Sequence, residues 1–98
     1  MGNRDHYHWD DEKSETARIE HGVDLAEICD LVFFTESTRW DVFENPRYPD
    51  QYRIVAKTKK LGFITVPMED KSDDYGTFIK IITWWPSSPN EKRKFNNG

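Results

Sequence analysis

Apolar residues recur at helical spacing in the first third of the chain. Leu25, Ile28, Cys29, Val32 and Phe33 are three or four positions apart, which predicts an amphipathic helix over residues 24–33. The residues at 24–27, Asp-Leu-Ala-Glu, have the form of a capping box at its start. Acidic residues at 10–12 favour the start of an earlier helix over 11–21, and Gly22 supplies its end.

Apolar and polar residues alternate in the second half of the chain. Segments 51–57 and 61–68 are rich in β-forming residues, with two lysines at 59–60 between them, and predict an antiparallel hairpin. Segment 77–85 has the strongest strand character in the chain. A short strand is expected near 39–42, and 68–76 is expected to be a charged connection.

The end of the chain predicts one more helix. Ser88 suits the cap position, Pro89 the first helical position, and Glu91 can reach back to the cap. The predicted fold is therefore α+β, with two N-terminal helices packed on one face of a mostly antiparallel three- to four-stranded sheet and a short C-terminal helix. A length of 98 residues fits a single domain over 1–98, and we expect residues 1–7 and 96–98 to be loose tails.

Charge is unevenly distributed along the chain. The net charge of −4 argues against a general nucleic-acid binder, but residues 1–55 carry −7 and residues 56–98 carry +3. The basic half suits RNA phosphates and the acidic half suits another partner.

No apolar run approaches the roughly 18 residues of a membrane span, so we expect a cytoplasmic protein. Cys29 is the only cysteine and is expected to be a buried hydrophobe.

Three short motifs carry a family resemblance. They are His-Trp-Asp-Asp-Glu-Lys at 8–13, Glu-His-Gly-Val at 20–23 and Phe-Ile-Lys-Ile-Ile-Thr at 78–83. In order and spacing they resemble the BrnT-like toxins of bacterial type II toxin-antitoxin pairs, which are small RelE-like ribonucleases. The resemblance implies a RelE-like layout and an RNA-cleaving protein that arrests translation. It also implies a cognate antitoxin of ribbon-helix-helix type, through which the toxin could form oligomers.

The resemblance also implies a catalytic set. RNA cleavage without a metal needs a proton acceptor, cations for the charge on phosphorus and a proton donor for the leaving oxygen. His21 would be the acid or base, Arg53 would hold a phosphate, and the Thr83 hydroxyl would bind a phosphate oxygen. Each has a structural alternative, as a helix-capping histidine, a solvated arginine and a β-branched strand residue.

Three further residues, Lys57, Lys80 and Trp85, are expected to bind RNA. Trp85 stands where the family has an arginine, and a tryptophan can stack on a base but cannot neutralise a phosphate. Strand alternation would send Lys80 to the face opposite Thr83 and Trp85, and would place Trp84 beside Lys80.

The alternative function is a catalytically inactive homologue. Such a protein would bind protein or nucleic acid through exposed aromatic residues. The candidates are Trp40, Tyr48, Tyr52, Trp84 and Trp85.

No metal or cofactor is expected. His6 and His8 are close in sequence, but two histidines without a third partner make a poor ligand set. The carboxylates at 70, 73 and 74 do not have the spacing of an EF-hand loop.

Overall fold

The computed structural model describes residues 2–36 and 38–97, and for Asn97 the backbone alone. In chain order, the elements are β1 (Gly2–Arg4), β2 (Tyr7–Trp9), α1 (Asp11–His21), α2 (Leu25–Phe33), β3 (Arg39–Glu44), β4 (Gln51–Thr58), β5 (Gly62–Asp73), β6 (Gly76–Ile81), β7 (Trp85–Pro86) and α3 (Pro89–Asn97).

The described strands form one mixed sheet. Its strand order is β1-β2-β6-β5-β4-β3, and β7 pairs separately with β5. The β2–β6 pair is parallel, and the other pairs of the described strands are antiparallel. The α+β class is confirmed, but the predicted architecture is wrong. The sheet has seven described strands rather than three or four, and the first two helices follow two strands instead of opening the chain.

The N-terminal strands occupy residues that we expected to form a loose tail. β1 and β2 make a tight hairpin in which Asp5 adopts a positive φ of 57°. Trp9 is buried and packs so close to Gly2 that a Cβ added there would lie 2.0 Å from the indole Nε1. Strands of three residues are too short for a period of two to show in the sequence. Met1 and Gly98 of the predicted tails lie outside the described residues.

Both N-terminal helices match their predicted positions, because each carries its own capping residues. The Asp10 side chain accepts hydrogen bonds from the amides of Glu12 and Lys13, and Gly22 ends α1 with a φ of 84°. Asp24 caps α2 by accepting a bond from the Glu27 amide. Local side-chain chemistry of this kind satisfies the free amides at a helix start and is readable from sequence.

The predicted hairpin between β4 and β5 is also confirmed. Thr58 pairs with Gly62 across the turn that contains the two lysines. β5 then continues to Asp73 and pairs with β6 through Gly76, so most of the expected charged connection is strand.

Helices cover both faces of the sheet. The main core lies on the face covered by α1 and α2, where Ala17, Leu25, Ile28, Cys29 and Val32 pack on Ile54, Ala56, Ile64, Val66, Met68 and Ile81. α3 covers the opposite face, because the buried Phe95 meets Phe63, which alternates with the core residue Ile64. The sequence predicted that the helices pack on one face of the sheet, and this prediction is wrong because α3 packs on the other face.

The predicted strand 77–85 is interrupted. β6 ends at Ile81, three residues follow without ladder pairing, and β7 pairs with Ile64 and Thr65 of β5. The break changes which side of the sheet the side chains after Ile81 point to. Trp84 joins the core beside Ile81, whereas Thr83 and Trp85 lie on the α3 side. Strict alternation holds only while the backbone stays in one ladder, so the predicted pairing of Trp84 with the Lys80 face is wrong.

Candidate functional site

A cleft of about 460 Å³ lies between the sheet and α3, and we refer to it as the α3 cleft. Its walls come from the end of β3, from β4, from the segment at 82–85 and from α3. The side chains with chemistry to offer are Arg53, Thr83, Trp85, Glu91 and Lys94. Two of the three predicted catalytic residues therefore lie in one cleft.

Arg53 brings a cation into the α3 cleft. Its side chain is 59% exposed, and Nη1 lies 3.6 Å from Oε2 of Glu91. The guanidinium carbon is 5.5 Å from the centre of the Trp85 ring, within reach of a cation–π contact. An exposed guanidinium gains little from one ion pair, so it remains available to a phosphate.

Trp85 is held in place by the start of α3. Its indole N–H donates to Oε1 of Glu91 at 3.2 Å, and the Ser88 amide donates to the same oxygen at 2.9 Å. The Glu91 amide in turn donates to the Ser88 hydroxyl at 3.2 Å. This is the predicted capping box, and it fixes an aromatic ring at the wall of the α3 cleft.

Glu91 is an acid of the α3 cleft with a lowered pKa. Burial alone would raise the pKa of this carboxyl, but the hydrogen bonds from the Ser88 amide and the Trp85 indole outweigh burial and hold the pKa below its ordinary value. The carboxylate form is therefore favoured at neutral pH. Oε2 is buried and, among the described residues, has no hydrogen-bond partner.

His21 lies away from the α3 cleft. It ends α1, and its ring centre is 5.0 Å from that of Trp84, a member of the core under α1 and α2. Arg53 points to the opposite face, because it alternates with the core residue Ile54. His21 therefore lies on the face opposite Arg53 and does not line the α3 cleft, so the three predicted catalytic residues do not share one cleft.

The predicted RNA-binding lysines lie outside the lining of the α3 cleft. Lys57 lies on the same face of the sheet as α3 but is not in the lining of the α3 cleft. Its Nζ lies 5.7 Å from the centre of the Phe63 ring instead. Lys80 pairs with Glu69 and His8 in the sheet. The cleft's second cation is Lys94, which the sequence analysis did not select. Its signal was the spacing of three from Glu91, which places both on one helix face.

The alternative function predicted five exposed aromatic residues, and the structure confirms that exposure for only some of them. Trp40 and Tyr48 are exposed, and Tyr52 and Trp85 are half-buried. Trp84 is 3% exposed and donates its indole N–H to the Val23 carbonyl at 2.8 Å. Trp84 is therefore a core residue, and its place among the exposed aromatics was wrong.

The described residues contain no group of three or more His, Cys, Asp or Glu side chains placed to hold a metal ion. His8 stacks on Phe78 with 4.3 Å between ring centres, and Asp70 accepts a hydrogen bond from the Tyr52 hydroxyl. In the described part of the chain, no helix has the length and apolar character needed to cross a membrane.

Comparison with known proteins adds no family assignment. No family model matches the chain, and a search of curated proteins finds no significant match. The BrnT-like resemblance rests on the three motifs alone and stays a prediction.

Proposed function

We propose that this protein is the toxin of a BrnT-like toxin-antitoxin pair in the cytoplasm, and that it binds single-stranded RNA in the α3 cleft. The observation that carries the proposal is the convergence of Arg53, Thr83 and Trp85 on one cleft. Proteins that bind single-stranded RNA combine cations for the backbone with aromatic rings for the bases.

Each of the three residues has a separate role in this proposal. Arg53 holds a phosphate with two parallel hydrogen bonds, and Thr83 donates its hydroxyl to a phosphate oxygen. Trp85 stacks on a base, an interaction worth about 1–3 kcal/mol. The volume of about 460 Å³ is typical of sites that hold a small ligand or one unit of a polymer.

Binding is tested by fluorescence anisotropy with a labelled single-stranded RNA. Arg53→Ala removes a charged hydrogen-bond donor and is expected to weaken binding about tenfold or more. Trp85→Ala is expected to weaken binding at least about fivefold. Lys80→Ala is the matched control, because it removes one positive charge outside the cleft, and its affinity should stay within about threefold of the parent.

Equal effects of Arg53→Ala and Lys80→Ala would show that binding depends on charge alone and would contradict the cleft. Circular dichroism of each variant checks that the fold is intact.

The antitoxin is proposed on the resemblance and has its own test. If a neighbouring reading frame encodes a ribbon-helix-helix protein, the two chains should copurify as a complex at micromolar concentration. Failure of such a pair to associate would remove the toxin-antitoxin part of the proposal and leave RNA binding standing.

One observation favours the alternative of a non-enzymatic interaction domain. β3 is an edge strand of the sheet. The Trp40 and Val42 side chains of β3 lie on the same face, and these residues are 40% and 46% exposed. An exposed edge strand with apolar side chains can accept an added strand from a partner. Trp40→Lys should abolish association with a protein partner while RNA binding by the α3 cleft is unchanged.

A further inference from the structure

One oxygen of Glu91 is left unexplained by RNA binding. Oε1 already accepts both hydrogen bonds of the capping arrangement, from Ser88 and from Trp85. Oε2 is buried and has no hydrogen-bond partner among the described residues. A buried acceptor without a partner is unfavourable, and in native proteins such groups often belong to a functional site. The helix cap uses Oε1, whereas Oε2 faces the Arg53 guanidinium at 3.6 Å, and the Thr65 hydroxyl also helps to lower the pKa of this carboxyl.

Arg53, the residue proposed to hold a phosphate, forms an ion pair with this oxygen. Arg53 Nη1 lies 3.6 Å from Oε2, which is too far for a good hydrogen bond. Arg53 is well exposed, whereas the Glu91 side chain is mostly buried. A phosphate in the α3 cleft would compete for the guanidinium, and Arg53 would move towards it. With Arg53 drawn towards the phosphate, Oε2 would be left facing a hydroxyl donor on the same nucleotide.

We propose that Glu91 is the proton acceptor for RNA cleavage in the α3 cleft, a role that rests on the proposed RNA binding. Oε2 takes the proton of a ribose 2′-hydroxyl, and the 2′-oxygen forms a bond to the adjacent phosphorus. The bond from phosphorus to the 5′-oxygen breaks, and that oxygen leaves with a proton from water. The products are a 2′,3′-cyclic phosphate and a 5′-hydroxyl, and Glu91 returns its proton to the solvent.

The charges around the cleft suit this role. Arg53 from β4 and Lys94 from α3 are cations that stabilise the charge developing on phosphorus, and Glu44 at the end of β3 is the other acid in the lining. Glu91 is ionised at neutral pH, which is the form that accepts a proton, although its lowered pKa makes it a weaker base than an ordinary carboxylate.

The test compares Glu91→Gln with Ser88→Ala. Glutamine keeps an acceptor for the Ser88 amide and the Trp85 indole but cannot take a proton. Ser88→Ala removes the other half of the capping box and leaves the carboxylate in place. Cleavage is followed on a labelled single-stranded RNA, and binding is measured on the same RNA with 2′-deoxyribose throughout, which cannot react.

Glu91→Gln is expected to slow cleavage about 10²-fold or more and to bind the deoxy probe within about threefold of the parent. Cleavage by the parent should fall as the pH drops below the ordinary carboxyl range of about 4, and the residual rate of Glu91→Gln should lack that fall. Ser88→Ala is expected to cleave at least about tenfold faster than Glu91→Gln, because it weakens the helix cap but keeps the carboxylate.

The remaining outcomes separate this inference from the function it rests on. If the parent binds the deoxy probe but leaves the RNA intact, Glu91 is not a proton acceptor and RNA binding still stands. Cleavage by Glu91→Gln at the parental rate, or an equal loss in Ser88→Ala, would also overturn the role. If the parent does not bind the labelled RNA in the anisotropy test, the proposed function itself fails.

Discussion

At the scale of the residue, the two adjacent tryptophans show how far a sequence reading can go. Trp84 is buried in the core and bonded to the Val23 carbonyl, whereas Trp85 forms a wall of the α3 cleft. Strand alternation predicted opposite faces for the two tryptophans, but it placed Trp84 beside Lys80 instead of in the core. The faces depend on the break after Ile81, which is set by the pairing of β7 with β5 and leaves no local signal in the sequence.

Trp84→Phe is expected to destabilise the fold. The change removes the indole donor, so the Val23 carbonyl loses its partner in a buried position, at a cost of about 1–3 kcal/mol. Urea unfolding followed by far-ultraviolet circular dichroism gives the free energy of unfolding. Tyr75→Phe is the control, because Tyr75 is fully exposed and its change should stay within about 0.5 kcal/mol. A Trp84→Phe variant as stable as the control would contradict the buried hydrogen bond.

Cys29 is expected to resist thiol reagents in the folded protein. Burial in the core raises the pKa of its thiol to about 11, so the reactive thiolate is scarce below that pH. A colorimetric disulfide reagent at pH 8 should react with Cys29 at least about 100-fold more slowly in buffer than in strong denaturant. Rapid labelling in buffer would show that α2 opens readily or that the thiol is not buried.

At the scale of the element, local signals explain which predictions held. α1, α2 and α3 carry their own capping residues, and the β4–β5 hairpin carries its own turn, so each was found from a short stretch of sequence. β1 and β2 were missed because β2 is stabilised by pairing with β6, about 70 residues away in the chain, and β1 pairs with β2. The α3 cleft was missed as a whole, because nothing local shows that α3 packs on the face opposite α1 and α2.

Phe95→Ala is expected to undock α3 from the sheet. The ring is buried against Phe63 at 5.4 Å between centres, and the Arg39 guanidinium carbon lies 4.6 Å from its centre. Loss of a buried phenylalanine costs about 3–5 kcal/mol, and a terminal helix can respond by detaching alone. Hydrogen exchange should speed up in residues 89–97, and RNA affinity should fall as the cleft loses a wall. Asn96→Ala, at an exposed position, should change neither.

At the scale of the whole molecule, the sheet has an apolar core on one face and the α3 cleft beside α3. The face under α1 and α2 is a continuous apolar core, and His21 belongs to its rim through Trp84. The α3 face holds Arg53, Thr83, Trp85 and Glu91 around an open cleft. The resemblance placed His21, Arg53 and Thr83 in one catalytic site. It could not show that His21 lies outside the α3 cleft, because the order of motifs in a chain does not determine which face of the sheet each residue occupies.

The central claim is that RNA contacts the α3 cleft, and an NMR titration of the ¹⁵N-labelled protein with single-stranded RNA tests it most directly. The Trp85 indole N–H and the amides of Arg53, Thr83 and Glu91 should shift together as RNA is added. The Trp84 indole and the amides of α2 should stay in place, since they lie in the core or on the other face. Shifts confined to Trp40, Val42 and the rest of β3, or no shifts at all, would contradict the account.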